Sequence, residues 1–123
     1  MPMRKKTQGR RYVMRPDRKG DWPFGDGVWV GRTFYLSGHL GLYPETRKPA
    51  IEADQEIRLM LDTVKATLMA AALEMRHIVY VQVFCADVSL FTAFNTIYRE
   101  YFGKDFPARA FIGSGGAFVP RAV

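Results

Sequence analysis

Arg109 sits in the segment Phe106-Pro107-Ala108-Arg109, followed by the apolar run Ala110-Phe111-Ile112-Gly113. Proline disfavours the helical region for the residue before it, so the chain turns extended here. Arg109 therefore stands where a strand enters the fold, among residues that favour burial. A charge in such a place is stable only when paired. With no acid close by in sequence, the natural partner is an anionic ligand. A carboxylate fits best, because a guanidinium holds it through two parallel hydrogen bonds.

The other polar candidates are weaker taken singly. Asn95 falls within Leu90–Phe102, a stretch that reads as a helix, where its amide either faces water or bonds something specific. Ser37 and His39 follow the apolar run Thr33-Phe34-Tyr35-Leu36. Ser37 can donate a hydrogen bond at the strand end or cap the turn, and His39, which could line a pocket, reads first as a structural or surface residue. Two histidines and one cysteine show no metal-ligand spacing. Gly113-Ser114-Gly115-Gly116 is glycine-rich but lacks the Lys-Ser/Thr of a phosphate loop. Cys85 lies in an alternating apolar run and reads as a small buried hydrophobe.

The elements that must position these residues are legible from periodicity. Val28-Trp29-Val30 and Thr33–Leu36 read as strands joined by a Gly31-Arg32 turn. From Ala53 to Leu73, Ile57, Met60, Leu61, Val64, Leu68 and Ala71 form one helical stripe. Ile78–Ala86 is long and β-branched, as a central strand would be. Ser89 is placed to cap the second helix, whose inner face would be Phe91, Phe94, Ile97, Tyr98 and Tyr101, and Gly103 to end it. The order β-β-α-β-α-β predicts an α+β fold, a mixed β-sheet with two helices on one face.

The 123 residues suit one domain, and the composition, 48% hydrophobic and 24% charged, is that of a globular protein. No apolar run is long enough to span a membrane, no secretory pattern opens the chain, and a single cysteine fits a reducing, cytoplasmic setting. The net charge of +6 is unevenly spread. Residues 1–19 hold eight Lys/Arg and one acid, a sum of +7, so the remainder carries −1. The chain thus divides into a basic, flexible arm over residues 1–19 and one domain over 20–123. An arm of this kind can meet phosphates, although a solvated terminus is the plainer reading.

Thr33–Gly41, Pro44-Glu45-Thr46, Val83-Phe84 with Asp87, Phe94–Tyr98, Tyr101-Phe102 and Pro107-Ala108-Arg109, in this order, resemble the RidA (YjgF-type) reactive-intermediate deaminases. The resemblance covers roughly residues 22–113. It implies a chorismate-mutase-like fold, a homotrimer with sites in the clefts between subunits, and hydrolysis of 2-enamino and 2-imino acids to 2-keto acids and ammonia. Arg109 matches the family arginine that clamps the substrate carboxylate, Ser37 the serine near the substrate, and Asn95 the helix asparagine of the cleft. Phe24 falls where many members carry a pocket tyrosine, so only a wall remains there. A protonated imine is already electrophilic. Orienting substrate and water is then most of the task, which needs no metal or cofactor.

Two departures from the family pattern bear on activity. Members usually continue into a last strand with a water-positioning glutamate, whereas this sequence has no acid after Asp105. Ala110 and Phe111 replace a hydroxyl and a thiol found in some members. The leading expectation is a deaminase. The alternatives are a non-catalytic small-carboxylate-binding protein of the same fold, or an RNA-associated protein using the basic arm. A nucleic-acid partner is the least expected of the three.

Overall fold

The computed structural model describes residues 9–115. Its elements run β1 (Arg10–Val13), β2 (Gly27–Val30), β3 (Thr33–Leu36), α1 (Ala53–Ala70), β4 (Tyr80–Cys85), α2 (Phe91–Phe102) and β5 (Ala108–Gly113), with short 3-10 turns before β4 and α2. Strands β1, β2 and β3 form an antiparallel meander in which Arg11, Trp29 and Phe34 share one rung and Tyr12, Val28 and Tyr35 the next. The two-residue turn between β2 and β3 is the one expected. Gly31 takes a φ of 59°, the left-handed conformation that the first central position of such a turn requires. Strands β4 and β5 pair in parallel, with Val81 opposite Arg109 and Val83 opposite Phe111. A parallel pair needs a crossover, and α2 supplies it.

The core explains why both helices lie on one face of the β4–β5 pair. Ile57 and Leu61 from α1, Val83 from β4, and Phe94, Ile97 and Tyr98 from α2 form one buried cluster, with Val81 and Phe111 against it. Period-2 alternation points Val81, Val83, Arg109 and Phe111 to this side. Tyr80 and Ile112 point the other way and stay exposed. On the outer surface Arg58 grips Glu100 with two bonds of 2.7 and 3.1 Å, tying α1 to α2. Gly41 passes so close to α1 that a Cβ there would collide with the backbone carbonyl of Glu56.

Several expectations are corrected. Helix α1 ends at Ala70 and not Leu73, because Ala72 turns left-handed (φ 61°) and the Leu73 N–H reaches back to Leu68 O at 2.8 Å. The cap before α2 is Asp87, whose carboxylate accepts from the Ser89 N–H at 3.0 Å and the Ser89 hydroxyl at 2.6 Å. It caps the short 3-10 turn that leads into the helix. Cys85 is only half buried, its thiol directed at Asp87 O. Strand β4 pairs on one side only among the described residues, and no ladder joins β3 to β4 or β5. The mixed sheet thus comes as an antiparallel and a parallel piece, since alternation reveals a strand but not its partner. Residues 116–123, where the sequence departs from the family ending, lie outside the described residues, as do Arg4, Lys5 and Lys6.

The largest correction concerns residues 9–19 of the supposed arm. Arg10–Val13 is strand β1, laddered to β2. Beyond it, Arg15 and Arg18 converge on Asp26, which is 6% exposed. The Arg15 backbone N–H donates to the carboxylate at 2.7 Å, and the Arg18 guanidinium at 3.1 Å. Arg18 also donates to the carbonyls of Trp22 and Phe24. These cations are part of the fold because the matching anion lies eleven and eight residues downstream. Deleting residues 1–19 strips Asp26 of its cations and β2 of one of its two neighbours. Breaking a buried pair from one side costs about 3–5 kcal/mol. Chemical denaturation of the shortened chain is therefore expected to show at least that loss, or no folded baseline; an unchanged midpoint would refute the role given to Arg15 and Arg18.

Candidate functional site

Arg109 is the second residue of β5, two after Pro107 and next to the point where the Ala108 N–H opens the ladder by donating to Val79 O at 3.1 Å. Its side chain lies against α2. The guanidinium carbon is 4.8 Å from the ring centre of Tyr98, 5.4 Å from Phe111, and 5.7 Å from both Phe91 and Phe94. Each such contact stabilises a cation by about 0.5–2 kcal/mol, depending on how dry it is. Among the described residues no carboxylate pairs with Arg109. The partner expected from sequence is thus in part an aromatic box. Aromatic faces stabilise the charge but do not accept the in-plane N–H bonds of the guanidinium edge, and no carboxylate among the described residues does so. That edge can still take an anion.

The box opens on a cleft of about 170 Å³ lined by Asn95, Tyr98, Arg99, Phe106, Pro107 and Arg109. Asn95 and Arg109, predicted separately, therefore meet in one place. The cleft holds two guanidinium groups, one amide and one phenol, with apolar walls from Phe106 and Pro107, and no acid among these six residues. Such a set of donors suits a small carboxylate.

Ser37 and Phe24 lie elsewhere in the single chain and do not line this cleft. The Ser37 hydroxyl donates to Gly25 O at 2.5 Å, and its N–H to Asp26 O at 3.1 Å, so it closes the end of β3. Phe24 is about half exposed, with its ring beneath the Arg18 guanidinium at 5.6 Å.

Next to Ser37 is a polar network that the sequence reading missed. Its hub is Thr67 on α1, which is 0% exposed. The Thr67 hydroxyl lies 2.9 Å from His39 Nε2, receives a bond of 3.0 Å from Arg15, and sits 3.1 Å from Thr63 O. His39 Nδ1 is 2.6 Å from Ser37 O. A carbonyl only accepts, so Nδ1 carries the proton and Nε2 is left to accept. His39 is thus a structural histidine, as its residue type suggested, and it fixes the backbone of Ser37. The one hint of Thr67 was a lone hydroxyl inside an apolar helical stripe.

Burial holds His39 below its ordinary value of 6.5; the Ser37 carbonyl opposes it in part, the Arg15 charge lowers it further, and Asp26 and the Gly38 backbone raise it slightly. A histidine kept neutral in the fold lets only the unfolded chain take up the proton as pH falls below 6.5. Stability is then fully present above that value and declines on acidification until His39 itself protonates in the fold. Denaturation midpoints measured across pH 7.5 to 5 should fall in the native chain. They should fall less in His39→Gln, which retains hydrogen-bonding capacity without titrating; equal slopes would sink this assignment.

The architecture, a helix pair on one face of sheet with an arginine-walled cleft at a strand entry, is shared with proteins of known structure. A family model described as endoribonuclease L-PSP matches residues 18–119. A human 2-iminobutanoate/2-iminopropanoate deaminase is 36% identical over 93 residues, covering 72% of this chain and 65% of that protein. A RutC family protein of Sulfurisphaera tokodaii is 33% identical over 89 residues, covering 71% of this chain and 70% of its own length. The match spans just under two thirds of the length of the human, bovine and goat relatives. Among solved structures, Escherichia coli TdcF with bound serine superposes with a TM-score of 0.80 at 25% identity, covering 88% of this chain and 89% of that one. RidA from an Antarctic Psychrobacter gives 0.81 at 25% identity, with 88% and 89% covered. The chain belongs to the RidA/YjgF family. No helix among the described residues is long and apolar enough to cross a membrane.

Proposed function

We propose that this protein hydrolyses small 2-imino and 2-enamino acids to 2-keto acids and ammonia. The observation that carries the reading is Arg109, a guanidinium held among aromatic rings at the wall of a small cleft with no acid of its own. The relatives named as deaminases of this class support it. In the proposed reaction Arg109 holds the substrate carboxylate through two hydrogen bonds, which fixes the adjacent imine carbon. Asn95, in the same cleft, offers an amide that can bond the imine nitrogen or the attacking water. Water adds to the carbon of the protonated imine, a proton passes from the added oxygen to the nitrogen, and ammonia leaves as the C=O bond forms and the hydroxyl proton is released to solvent. Positioning is the main contribution of the protein, because the carbon is already electrophilic.

Arg109→Ala is expected to abolish keto-acid release from imine generated by a pyridoxal-phosphate dehydratase, while the chain still folds, with a midpoint lowered by the lost ring contacts. Losing a desolvated charged contact costs about 2–5 kcal/mol of affinity. Release at the native rate would refute the role. A native chain that binds 2-oxobutanoate without turnover, and loses that binding in Arg109→Ala, would instead favour the second reading, a carboxylate-binding protein, which the acid-free lining of the cleft keeps open.

The homotrimer is proposed with the function. Tyr12 and Tyr35 on the outer face of the meander, and Tyr80 and Ile112 on the outer face of β4–β5, are large apolar groups at least 36% exposed. Apolar faces of this kind are buried in assemblies. In this reading a neighbouring subunit brings Ser37 and Phe24 to the Arg109 cleft and completes the site. Light scattering over a dilution series is expected to give three times the 14.0 kDa chain mass. A monomer at micromolar concentration would overturn both the trimer and the shared site.

A further inference from the structure

Tyr98 is 4% exposed, and among the described residues its hydroxyl is the buried side-chain polar atom that has no hydrogen-bond partner. The other buried polar groups, Asp26 and Thr67, are both bonded. Leaving a buried hydroxyl unpaired costs about 1–3 kcal/mol. The ring alone does not require it. Tyr98 packs on Phe102 with centroids 4.4 Å apart, on Phe94 at 5.6 Å and on Phe106 at 6.4 Å, contacts that phenylalanine would make equally well. What the hydroxyl adds is chemistry, and it adds it beside Arg109. Tyr98 lines the same cleft, and the Arg109 guanidinium carbon is 4.8 Å from its ring centre.

Burial raises the phenol above its usual range. The Arg109 guanidinium acts in the opposite direction, through its charge and through a side-chain contact with the phenol oxygen that falls outside ordinary hydrogen-bond geometry. The group is therefore a neutral O–H donor at physiological pH. A carboxylate held by the two N–H groups of a guanidinium still has lone pairs to spare on each oxygen.

We propose that Tyr98 is a second carboxylate-recognition residue, donating its hydroxyl proton to an oxygen of the same substrate carboxylate that Arg109 holds. This rests on the deaminase reading of the cleft and goes beyond it. The pair of donors selects for a carboxylate against a neutral group of similar shape. An amide or methyl ketone offers one neutral acceptor oxygen in place of two charged ones, too few to satisfy two guanidinium N–H groups and the phenol together. The hydroxyl left unpaired within the chain is then satisfied in the complex.

The test is Tyr98→Phe, which removes one oxygen and keeps the ring. Binding of 2-oxobutanoate and of its uncharged analogue butanone is measured by calorimetry for the native chain, Tyr98→Phe and Arg109→Ala, together with thermal midpoints and steady-state kinetics on nascent imine. Tyr98→Phe is expected to weaken 2-oxobutanoate about tenfold or more, the scale of a hydrogen bond to a charged group. KM should rise in step while kcat changes little, as loss of uniform binding requires. Butanone binding should not discriminate the variants, and the thermal midpoint should hold or rise. If Tyr98→Phe binds 2-oxobutanoate like the native chain while Arg109→Ala does not, the Tyr98 proposal fails and the site stands. If neither substitution matters, the cleft is not the carboxylate site and both fail. A fall of several degrees in the midpoint, or failure to fold, would make Tyr98 structural and overturn the proposal.

Discussion

Asp26 is a carboxylate almost entirely withdrawn from water, and it can stay charged there only with cations and N–H donors around it. Arg15 and Arg18 supply them, and in doing so they fix the course of residues 15–26 from β1 into β2. The consequences spread. Arg15 reaches past Asp26 to Thr67 in α1, Thr67 meets His39, and His39 holds the carbonyl of Ser37. One buried charge thus joins the meander to a helix and sets the backbone of the residue that the family resemblance places near the substrate. A polar chain of this kind is stabilising only when every member is satisfied, and each of these is.

The second organising feature is that core and cleft share residues. Phe94 and Tyr98 belong to the buried cluster between the helices and β4–β5, and Phe111 packs against it. The same three rings, with Phe91, surround the Arg109 guanidinium. Edge-to-face contacts of Phe111 with Phe91 at 5.0 Å and with Phe94 at 5.4 Å keep the box rigid. Packing that stabilises the domain therefore also holds the arginine in one place. A ligand that meets a fixed guanidinium has less entropy to lose, which is what positioning catalysis requires.

Much of this was legible in the sequence, and what was not has physical reasons. The β2–β3 hairpin followed from two alternating runs around Gly31-Arg32. Helix α1 followed from its stripe, and the entry of β5 from Pro107. Arg109 and Asn95 were named from residue type and family pattern, and the fold brings them to one cleft. The aromatic box was half visible. Phe91, Phe94 and Tyr98 were assigned to the inner face of α2, but which strand residue they would enclose depends on the parallel register of β4 and β5, and alternation does not encode register between distant strands. The structural part played by residues 10–19 is not legible in the sequence, because dense Lys/Arg resembles a solvated terminus. Their counter-charge, Asp26, sits in a Gly- and Pro-rich segment that looks like an ordinary loop. Thr67 was hidden for the opposite reason, as one hydroxyl among methyl groups.

The arginines show how the same residue type divides between structure and function. Arg15 and Arg18 face an acid supplied by their own fold, so their charge is consumed internally and any third party would have to compete with Asp26. Arg58 likewise spends its fork on Glu100. Arg109 is surrounded by rings and not by carboxylates. Rings hold a cation in position through their faces, but they cannot accept the in-plane N–H bonds that a guanidinium makes best. A fold that stabilises the charge while pairing it with no carboxylate among the described residues leaves its strongest hydrogen bonds open to a partner from outside. The neighbouring Tyr98 hydroxyl, buried and likewise without a partner among the described residues, points to the same visitor: an anion with more than two lone pairs to share.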